Sequence, residues 1–374
     1  RPERPMSMTD LYSPIQLGDL QLNNRIWMAP LTRSRATPDR VPTPMMTEHY
    51  VQRASAGLII AEATNVALRS NAWECTPGIF TVEQVNAWRL LVEQVHQAGG
   101  KIALQLWHGG RVASDSREQP DPPLSPSGVN DNIETITVWG RDEQGIFRKK
   151  TACPSRAMTL AEVEDTIAAF GRAARAAREV GFDGVQLHAA NGYLPHQFLS
   201  PYLNHRTDAY GGSPQARAQF ALQAMRAMIA EFPAGRVGMR ISPFTTFNGA
   251  LDPDPVPTYR YLVDELARHG MGWLELADTN FWGGQFDRDQ MLSLTRPVFD
   301  GPIIANGGID PQTAQTLIGN GSIDAVSFGR LWMANPDLPE RIRADGPYHK
   351  AITKRFYGGG PDGYNDYPTL AEEK

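Results

Sequence analysis

The sequence has few cysteines and no apolar run long enough to cross a membrane. Its 374 residues include two cysteines, Cys75 and Cys153. Two are too few for a disulfide framework, and their spacing does not suit a metal site. No apolar stretch approaches the roughly 20 residues that a transmembrane helix needs. We therefore expect a cytoplasmic protein without structural disulfides, in which neither cysteine has a predicted role.

The sequence also lacks an excess of positive charge. It has 36 basic and 41 acidic residues, a formal net charge of −5 at pH 7, and no basic cluster. This balance argues against nucleic acid or an anionic membrane as a partner. Residues 1–10 contain charges and prolines without an apolar core. They are therefore expected to form a disordered lead, or an expression remnant, rather than a secretory signal.

What the chain does contain is a regular alternation of short apolar segments and helical segments. This alternation is typical of a (β/α)8 TIM barrel, an α/β fold. A β-hairpin with its turn at Gly18-Asp19 precedes the first barrel strand. A doubly wound open sheet is the alternative, and it ranks lower because no Gly-x-Gly-x-x-Gly follows the first strand. The strand candidates lie at 26–29, 57–64, 102–106, 184–188, 237–241, 273–276, 302–305 and 325–328. The longer helix candidates lie at 82–97, 160–180, 214–232 and 257–269.

One long excursion interrupts this alternation after the third strand. Residues 109–158 have too few apolar side chains for a core of their own, so we expect a lid or insertion rather than a separate domain. Within the excursion, residues 135–150 are predicted to form a hairpin. The whole of 11–368 is then expected to be a single domain, with 369–374 as a tail.

Three polar side chains follow the fourth predicted strand. His188 ends the strand, while Asn191 and Tyr193 lie on the loop that leaves it. In barrels of this kind the active site lies at the C-terminal ends of the strands. Two neutral hydrogen-bonding groups and a weak acid suit the polarisation of a carbonyl oxygen and the protonation of a neighbouring atom. A lone histidine would more often be structural, but the three groups together indicate a functional site.

The other strand ends are poor in carboxylates and rich in amides, hydroxyls and small residues. They therefore argue against glycoside hydrolysis by paired carboxylates and against a metal hydrolase, and no metal site is predicted. Glycines after the last two strands, together with Arg330, suit a bound phosphate. Arg240 could pair with an acid, or could stabilise negative charge on a flat, electron-accepting ring, as in a flavoprotein.

Several segments in order resemble the Old Yellow Enzyme family of flavin-dependent ene reductases. Within that family, the chain looks most similar to the bacterial group that contains the pentaerythritol tetranitrate, N-ethylmaleimide and morphinone reductases. The resemblance extends from Leu11 to about Pro368. The segments that carry it are 24–33 (NRIWMAPLTR), 54–64 (ASAGLIIAEAT), 105–108 (QLWH), 196–201 (HQFLSP), 206–213 (RTDAYGGS) and 356–360 (FYGGG).

The resemblance implies a bound FMN at the mouth of the barrel. The residues implied to contact its ring system are Pro30, Thr32, Ala63, Gln105 and Arg240. Those implied to hold its phosphate end are Asn306, Gly307, Gly308, Gly329 and Arg330. His188 and Asn191 would bind the substrate oxygen, and Tyr193 would donate the proton. The residues implied to line the substrate pocket are Trp73, Trp107, Phe281, Trp282 and Tyr357.

The resemblance also implies a ping-pong reaction at one site. NADPH or NADH gives hydride to FMN, whose N5 then reduces the C=C bond of an α,β-unsaturated carbonyl or nitro compound. Reduction of nitrate esters or nitroaromatic compounds is an alternative, because the same oxygen-binding pair serves both. A metal-free barrel isomerase or aldolase acting on a phosphorylated substrate is less favoured, since no catalytic lysine stands at a strand end. A flavin-storage module is disfavoured by the catalytic trio, and either a monomer or a homodimer is expected.

Overall fold

The computed structural model describes residues 9–70, 72–114, 121–278 and 287–374. The strands in these ranges are β1 (Ile15–Leu17), β2 (Leu20–Leu22), β3 (Ile26–Met28), β4 (Ile59–Asn65), β5 (Ile102–Trp107), β6 (Leu124–Ser125), β7 (Thr137–Arg141), β8 (Phe147–Thr151), β9 (Arg156–Ala157), β10 (Gly184–Ala189), β11 (Val237–Ile241), β12 (Trp273–Ala277), β13 (Ile303–Asn306) and β14 (Ala325–Phe328). The α-helices are α1 (Pro44–Val51), α2 (Val82–Gln97), α3 (Leu160–Val180), α4 (Leu194–Leu199), α5 (Pro214–Ile229), α6 (Val256–Arg268), α7 (Arg288–Thr295), α8 (Pro311–Gly319), α9 (Arg330–Ala334) and α10 (Leu338–Arg343).

Eight of these strands close into a parallel barrel. Their order is β3, β4, β5, β10, β11, β12, β13, β14, and β14 pairs with β3 to close the sheet. Each strand therefore lies beside the next barrel strand in the chain, which is the arrangement that right-handed βαβ connections produce. The predicted (β/α)8 barrel is confirmed, and every predicted barrel strand is present with ends that agree to within two residues.

The N-terminal hairpin covers the end of the barrel where the strands begin. β1 and β2 pair in antiparallel fashion around a turn in which Gly18 has a φ of +58°. Apolar side chains of the hairpin join inward-facing side chains near the strand starts in one buried cluster, so packed apolar side chains fill this end of the barrel. The members of the cluster are Ile15, Leu17, Leu20, Leu22, Trp27, Leu58, Ile60, Ala103, Trp273, Ile304 and Ala325.

The helices surround the barrel and begin with clear capping signals. α3 starts with a capping box in which the Thr159 side chain accepts from the backbone N–H of Glu162, and the Glu162 carboxylate accepts from the backbone of Thr159. α3 ends at Gly181, which has a φ of +106°. These signals explain why the predicted bounds of this helix agree with the observed ones. In the described ranges, no helix combines the length and apolar character that spanning a bilayer requires.

The excursion after β5 contains two small sheets in its described part. β7 and β8 form the predicted antiparallel hairpin, whereas the parallel pairing of β6 with β9 was not predicted. Ile136, Val138 and Ala152 from the excursion pack in one cluster with Trp107 and Tyr193 at the barrel mouth. The excursion therefore contacts the end of the barrel that the N-terminal hairpin leaves open.

The packing beside Gly238 yields a stability prediction. A Cβ at Gly238 would lie 2.0 Å from Cε2 of the buried Trp273 indole, which packs edge-on against Trp27 with ring centroids 6.1 Å apart. Neither the indole nor the strand can move without disturbing the apolar end of the barrel, so we expect Gly238→Ala to lower the free energy of unfolding by about 1–3 kcal/mol. Urea unfolding followed by tryptophan fluorescence measures this loss.

Gly360→Ala is the matched control. Its Cβ would meet no heavy atom within 4 Å, and its φ is outside the left-handed region. The control should unfold with nearly the free energy of the parent protein. Equal losses in the two variants would contradict the packing role assigned to Gly238.

Candidate active site

The predicted trio lies at the open end of the barrel. His188 is the penultimate residue of β10, and Asn191 and Tyr193 follow on the loop that leads into α4. The rings of His188 and Tyr193 lie 4.9 Å apart, centroid to centroid. The Tyr193 ring also meets the Trp107 indole at 5.0 Å and an angle of 89°. The structure therefore brings the imidazole and the phenol together in one small volume lined by an aromatic side chain.

Backbone hydrogen bonds hold the loop that carries Asn191. Asn191 has a φ of +59°, a left-handed conformation that asparagine tolerates better than most residues. Its backbone N–H donates to Ser242 Oγ at 2.9 Å, and its carbonyl accepts from Asn248 Nδ2 at 2.8 Å. The next N–H, from Gly192, donates to His196 Nδ1 at 2.9 Å. Because these bonds use the backbone, the Asn191 side chain is not needed to hold the loop.

Two buried polar atoms of the trio have no hydrogen-bond partner among the described residues. They are His188 Nδ1 and Asn191 Oδ1. Buried polar atoms in folded proteins nearly always have partners, so such atoms indicate where a ligand binds. The oxygen and nitrogen of an asparagine amide can exchange places by rotation, so Asn191 can present a donor as readily as an acceptor.

Burial sets the protonation states of His188 and Tyr193. It lowers the pKa of His188 well below its ordinary value, and the Arg240 guanidinium lowers it further. Burial raises the pKa of the Tyr193 phenol above its ordinary value, with a smaller contribution from Tyr357. At neutral pH the site therefore holds a neutral imidazole and a protonated phenol, which can bind an oxygen atom and donate a proton.

A layer of polar side chains lies inside the barrel, above the apolar end. Arg240 Nη1 lies 2.7 Å from Glu275 Oε1, and Arg240 Nη2 donates to Asn306 Oδ1 at 2.9 Å. Asn306 Nδ2 donates to the Ser327 carbonyl at 2.8 Å. Both ends of the Asn306 amide are therefore engaged by the protein. The side chain therefore supports Arg240 and is held in place beside the predicted phosphate contact.

Sequence reasoning missed Glu275. It lies within the predicted strand 273–276, whereas only the strand ends were considered as sites. The available signal was a carboxylate flanked by Leu274 and Leu276 in a strand that is otherwise apolar. Alternate residues of a strand share a face, so Glu275 lies on the same inward face as Trp273.

The glycines predicted for a phosphate lie after two neighbouring strands. Gly307 and Gly308 follow β13 with φ values of +99° and +63°. A Cβ on Gly307 would lie 2.1 Å from the Asp278 carbonyl oxygen, so only glycine fits there. Gly329 lies between β14 and α9, and Arg330 is the first residue of that helix. Since β13 and β14 pair directly, these turns meet at one side of the mouth.

The remaining residues implied to contact FMN lie around the same mouth. Pro30 and Thr32 follow β3 and are half-buried, Ala63 is buried in β4, and Gln105 is buried in β5. With Arg240, these groups offer small side chains for a flat ring and polar groups for its edges. The donor set therefore fits the ring system at one side and the phosphate end at the glycine turns.

Aromatic side chains line the outer part of the site. Trp73 is half-buried, and its ring lies 4.8 Å from that of Tyr357 at an angle of 82°. Tyr357 in turn lies 5.1 Å from Trp139 of β7, a wall residue that sequence reasoning missed because its place depends on how the excursion folds back. The two predicted wall residues Phe281 and Trp282 lie outside the described residues.

The chain matches known flavin oxidoreductases over nearly its whole length. The family model for the NADH:flavin oxidoreductase / NADH oxidase family matches residues 10–348. The chain is 39% identical over 367 residues to 12-oxophytodienoate reductase 1 of Oryza sativa subsp. japonica, covering 97% of this chain and 93% of that protein.

Solved structures extend the comparison to the fold. Morphinone reductase superposes with a TM-score of 0.93 at 40% identity, covering 98% of this chain and 99% of that one. A structure of morphinone reductase in complex with tetrahydroNAD gives a TM-score of 0.91 at 41% identity, covering 97% and 98% of the two chains. The old yellow enzyme homologue from Zymomonas mobilis gives 0.88 at 37% identity, covering 97% of this chain and 100% of that one.

The histidine beneath the Asn191 loop yields a prediction about pH. Burial lowers the pKa of His196 to about 3, while an unfolded histidine titrates near its ordinary value of 6.5. The stability from keeping this ring neutral is therefore present above about pH 6.5 and is lost as the pH falls from there towards 3. Replacing it by asparagine keeps an acceptor for Gly192. Between about pH 7 and about pH 5, we expect the free energy of unfolding of His196→Asn to fall by about 2 kcal/mol less than that of the parent protein.

Urea unfolding of the FMN-loaded proteins at both pH values measures this difference. His205→Asn is the control, because His205 is exposed on the surface. The control should follow the pH dependence of the parent protein. If His196→Asn does so as well, the buried ring is not the source of the acid sensitivity.

Proposed function

The chain belongs to the NADH:flavin oxidoreductase / NADH oxidase family, and we propose that it acts as an ene reductase on α,β-unsaturated carbonyl or nitro compounds. It is an FMN-dependent oxidoreductase of the Old Yellow Enzyme type, so the predicted family, enzyme class and cofactor are confirmed. The observation that supports the proposed reaction best is the 4.9 Å separation of the His188 and Tyr193 rings, together with the buried polar atoms of His188 and Asn191 that have no partner among the described residues.

FMN supplies the redox chemistry when bound: it takes hydride from NADPH or NADH and passes it to the β-carbon of the substrate. The residues proposed to hold the ring system are Pro30, Thr32, Ala63, Gln105 and Arg240. Those proposed for the phosphate end are Asn306, Gly307, Gly308, Gly329 and Arg330. They are proposed because they surround the same mouth as the trio and offer the donors that each end of this cofactor requires.

His188 and Asn191 are proposed to bind the substrate oxygen. As hydride adds to the β-carbon, negative charge develops on that oxygen, and donors already in place stabilise it without reorganising. Removing one such donor typically costs about 3 kcal/mol of transition-state stabilisation, or roughly a hundredfold in rate. The lowered pKa of His188 favours a neutral ring, so the oxygen site would polarise the substrate through hydrogen bonds rather than through a full positive charge.

Tyr193 is proposed to protonate the α-carbon. Its raised pKa keeps the proton on the phenol until electron density reaches the substrate, which prevents early loss of the proton to solvent. The edge-on contact with Trp107 limits where the phenol can point. The aromatic rings of Trp73, Trp107 and Tyr357 are proposed to line the substrate pocket, and Trp139 joins them from the excursion. For Phe281 and Trp282, the same assignment is carried by the sequence resemblance.

A nitrate ester or nitroaromatic compound is the second candidate substrate. The same oxygen-binding pair can accept a nitro oxygen, and this pair supports the alternative. The relatives named above are reductases of 12-oxophytodienoate and of morphinone. Those names favour an oxo compound as the substrate class of this chain.

The first test separates the two half-reactions. Stopped-flow mixing with NADPH or NADH follows bleaching of the flavin, and mixing the reduced protein with 2-cyclohexenone follows its return. In Tyr193→Phe we expect the first rate to stay within a few-fold of the parent value and the second to fall about a hundredfold, because only the second step needs the proton. Tyr202→Phe, which loses an exposed hydroxyl, should change neither rate.

Equal losses in both half-reactions of Tyr193→Phe would rule out the proton-donor role. A parent protein whose flavin bleaches with the nicotinamide but does not return with the enone would overturn the proposed substrate class while leaving the flavin chemistry in place.

The second test addresses the oxygen site. A phenolate places a negatively charged oxygen where the substrate oxygen would lie, so its affinity reports on His188 and Asn191. A hydrogen bond to a charged group is worth about 1.5–3 kcal/mol, so His188→Ala and Asn191→Ala should each bind 4-nitrophenol about ten- to a hundredfold more weakly. Titration followed by the flavin absorption band measures this, with His205→Ala as the control. Unchanged affinity in both site variants would place the oxygen site elsewhere.

A further inference from the structure

The polar layer inside the barrel centres on a carboxylate that the proposed mechanism does not use. Glu275 is fully buried at the middle of β12. Its Oε1 lies 2.7 Å from Arg240 Nη1 and accepts from Ser327 Oγ, while its Oε2 accepts from Gln186 Nε2 at 2.8 Å. Both carboxylate oxygens are therefore held by side chains from three other strands.

The layer continues from this carboxylate to residues that face the cofactor. Gln186 Oε1 accepts from Gln105 Nε2 at 2.9 Å, which extends the chain of hydrogen bonds to β5. On the other side, Arg240 Nη2 donates to Asn306 Oδ1. Two residues proposed to contact the FMN ring, Gln105 and Arg240, are thus joined through Glu275 and its neighbours. The flat guanidinium is held at two of its nitrogens, so its orientation follows from where Glu275 and Asn306 lie.

Charge gives Glu275 a second effect. The side chains of Arg240 and Glu275 are 8% and 0% exposed, so water screens their interaction little. Reduction of a flavin places negative charge on its ring, and a nearby cation favours the reduced form. A carboxylate paired with that cation offsets part of its field. The pair therefore attracts an electron-rich ring less strongly than Arg240 alone would.

We propose that Glu275 is a positioning residue that orients Arg240 towards the FMN ring and moderates its positive field, and so lowers the reduction potential of the bound flavin. This inference rests on the proposed contact between Arg240 and FMN, and it holds for any substrate. The hydride leaving the flavin would then be more strongly driven towards the substrate than in a protein in which the arginine acted alone.

The test is the two-electron midpoint potential of the bound flavin, measured by dye-coupled anaerobic titration. Glu275→Gln keeps the volume and the hydrogen-bonding oxygen but removes the charge. We expect its flavin to be reduced at least tenfold more readily, a rise of about 30 mV for a two-electron couple. Ser327→Ala is the matched control, because it removes a hydrogen bond to the same carboxylate without changing the charge. Its potential should lie much closer to that of the parent protein.

The double variant Arg240→Gln with Glu275→Gln tests whether the effect involves Arg240. It removes both charges, leaves neither unpaired in the interior, and should bring the potential down from that of Glu275→Gln to the parent value or below. If the double variant keeps the high potential of Glu275→Gln, the carboxylate acts without Arg240 and the inference is overturned. The inference also fails if Glu275→Gln binds FMN at the parent potential while the double variant lowers it.

A further outcome would locate the fault in the cofactor site. If none of the three variants shifts the potential although all still bind FMN, Arg240 does not contact the ring, and the proposed cofactor site is wrong at this residue. Thermal unfolding of each FMN-loaded protein is measured alongside, because a purely structural role of Glu275 would lower stability and leave the potential of the bound flavin unchanged.

Discussion

Closure of the barrel is the constraint on which the rest of this molecule depends. Once β14 pairs with β3, every barrel strand has a neighbour on each side, and alternate residues must point into a closed interior. Side chains near the strand starts are apolar and meet the N-terminal hairpin, as Trp27 and Trp273 do. The next inward-facing side chains along the strands are polar and paired with one another, as Glu275 and Arg240 are. The interior therefore changes from a packed core to a reactive site over the length of a short strand.

The same closure explains why the site can be reactive without being loose. The backbone of the loop after β10 bonds to Ser242 and Asn248, which follow the neighbouring strand β11 that the barrel brings beside it, and to His196 of the helix that the loop itself leads into. Side chains that face the mouth are therefore not needed to hold the loop in place. Because the backbone fixes the loop, His188 Nδ1 and Asn191 Oδ1 remain available for a ligand.

Much of the fold follows from local sequence, and some of it does not. The barrel strands are short apolar segments separated by helices with recognisable caps, so their number and order could be predicted, and the bounds of α3 agree with the prediction. α4 was not predicted, because its six residues are too few to show a helical period. The trio at the end of β10 could be predicted because its members lie close together in the chain. Glu275 was missed because it lies within a strand and its role depends on partners from other strands, whereas only strand ends were considered. Trp139 was missed because its place depends on how the excursion folds back.

Electrostatics connects the polar layer to the trio above it. Arg240 and His188 are register partners on β11 and β10, and the guanidinium helps to keep the imidazole neutral. An unpaired arginine in the same place would act more strongly on the imidazole, and also on the flavin and the substrate oxygen that are proposed to bind beside it. By pairing with Arg240, Glu275 allows a fixed cation in a dry interior without placing a full positive charge beside a site that must hold a neutral imidazole. In the proposed mechanism, orientation of the flavin and polarisation of the substrate are then assigned to separate groups, although those groups lie on neighbouring strands.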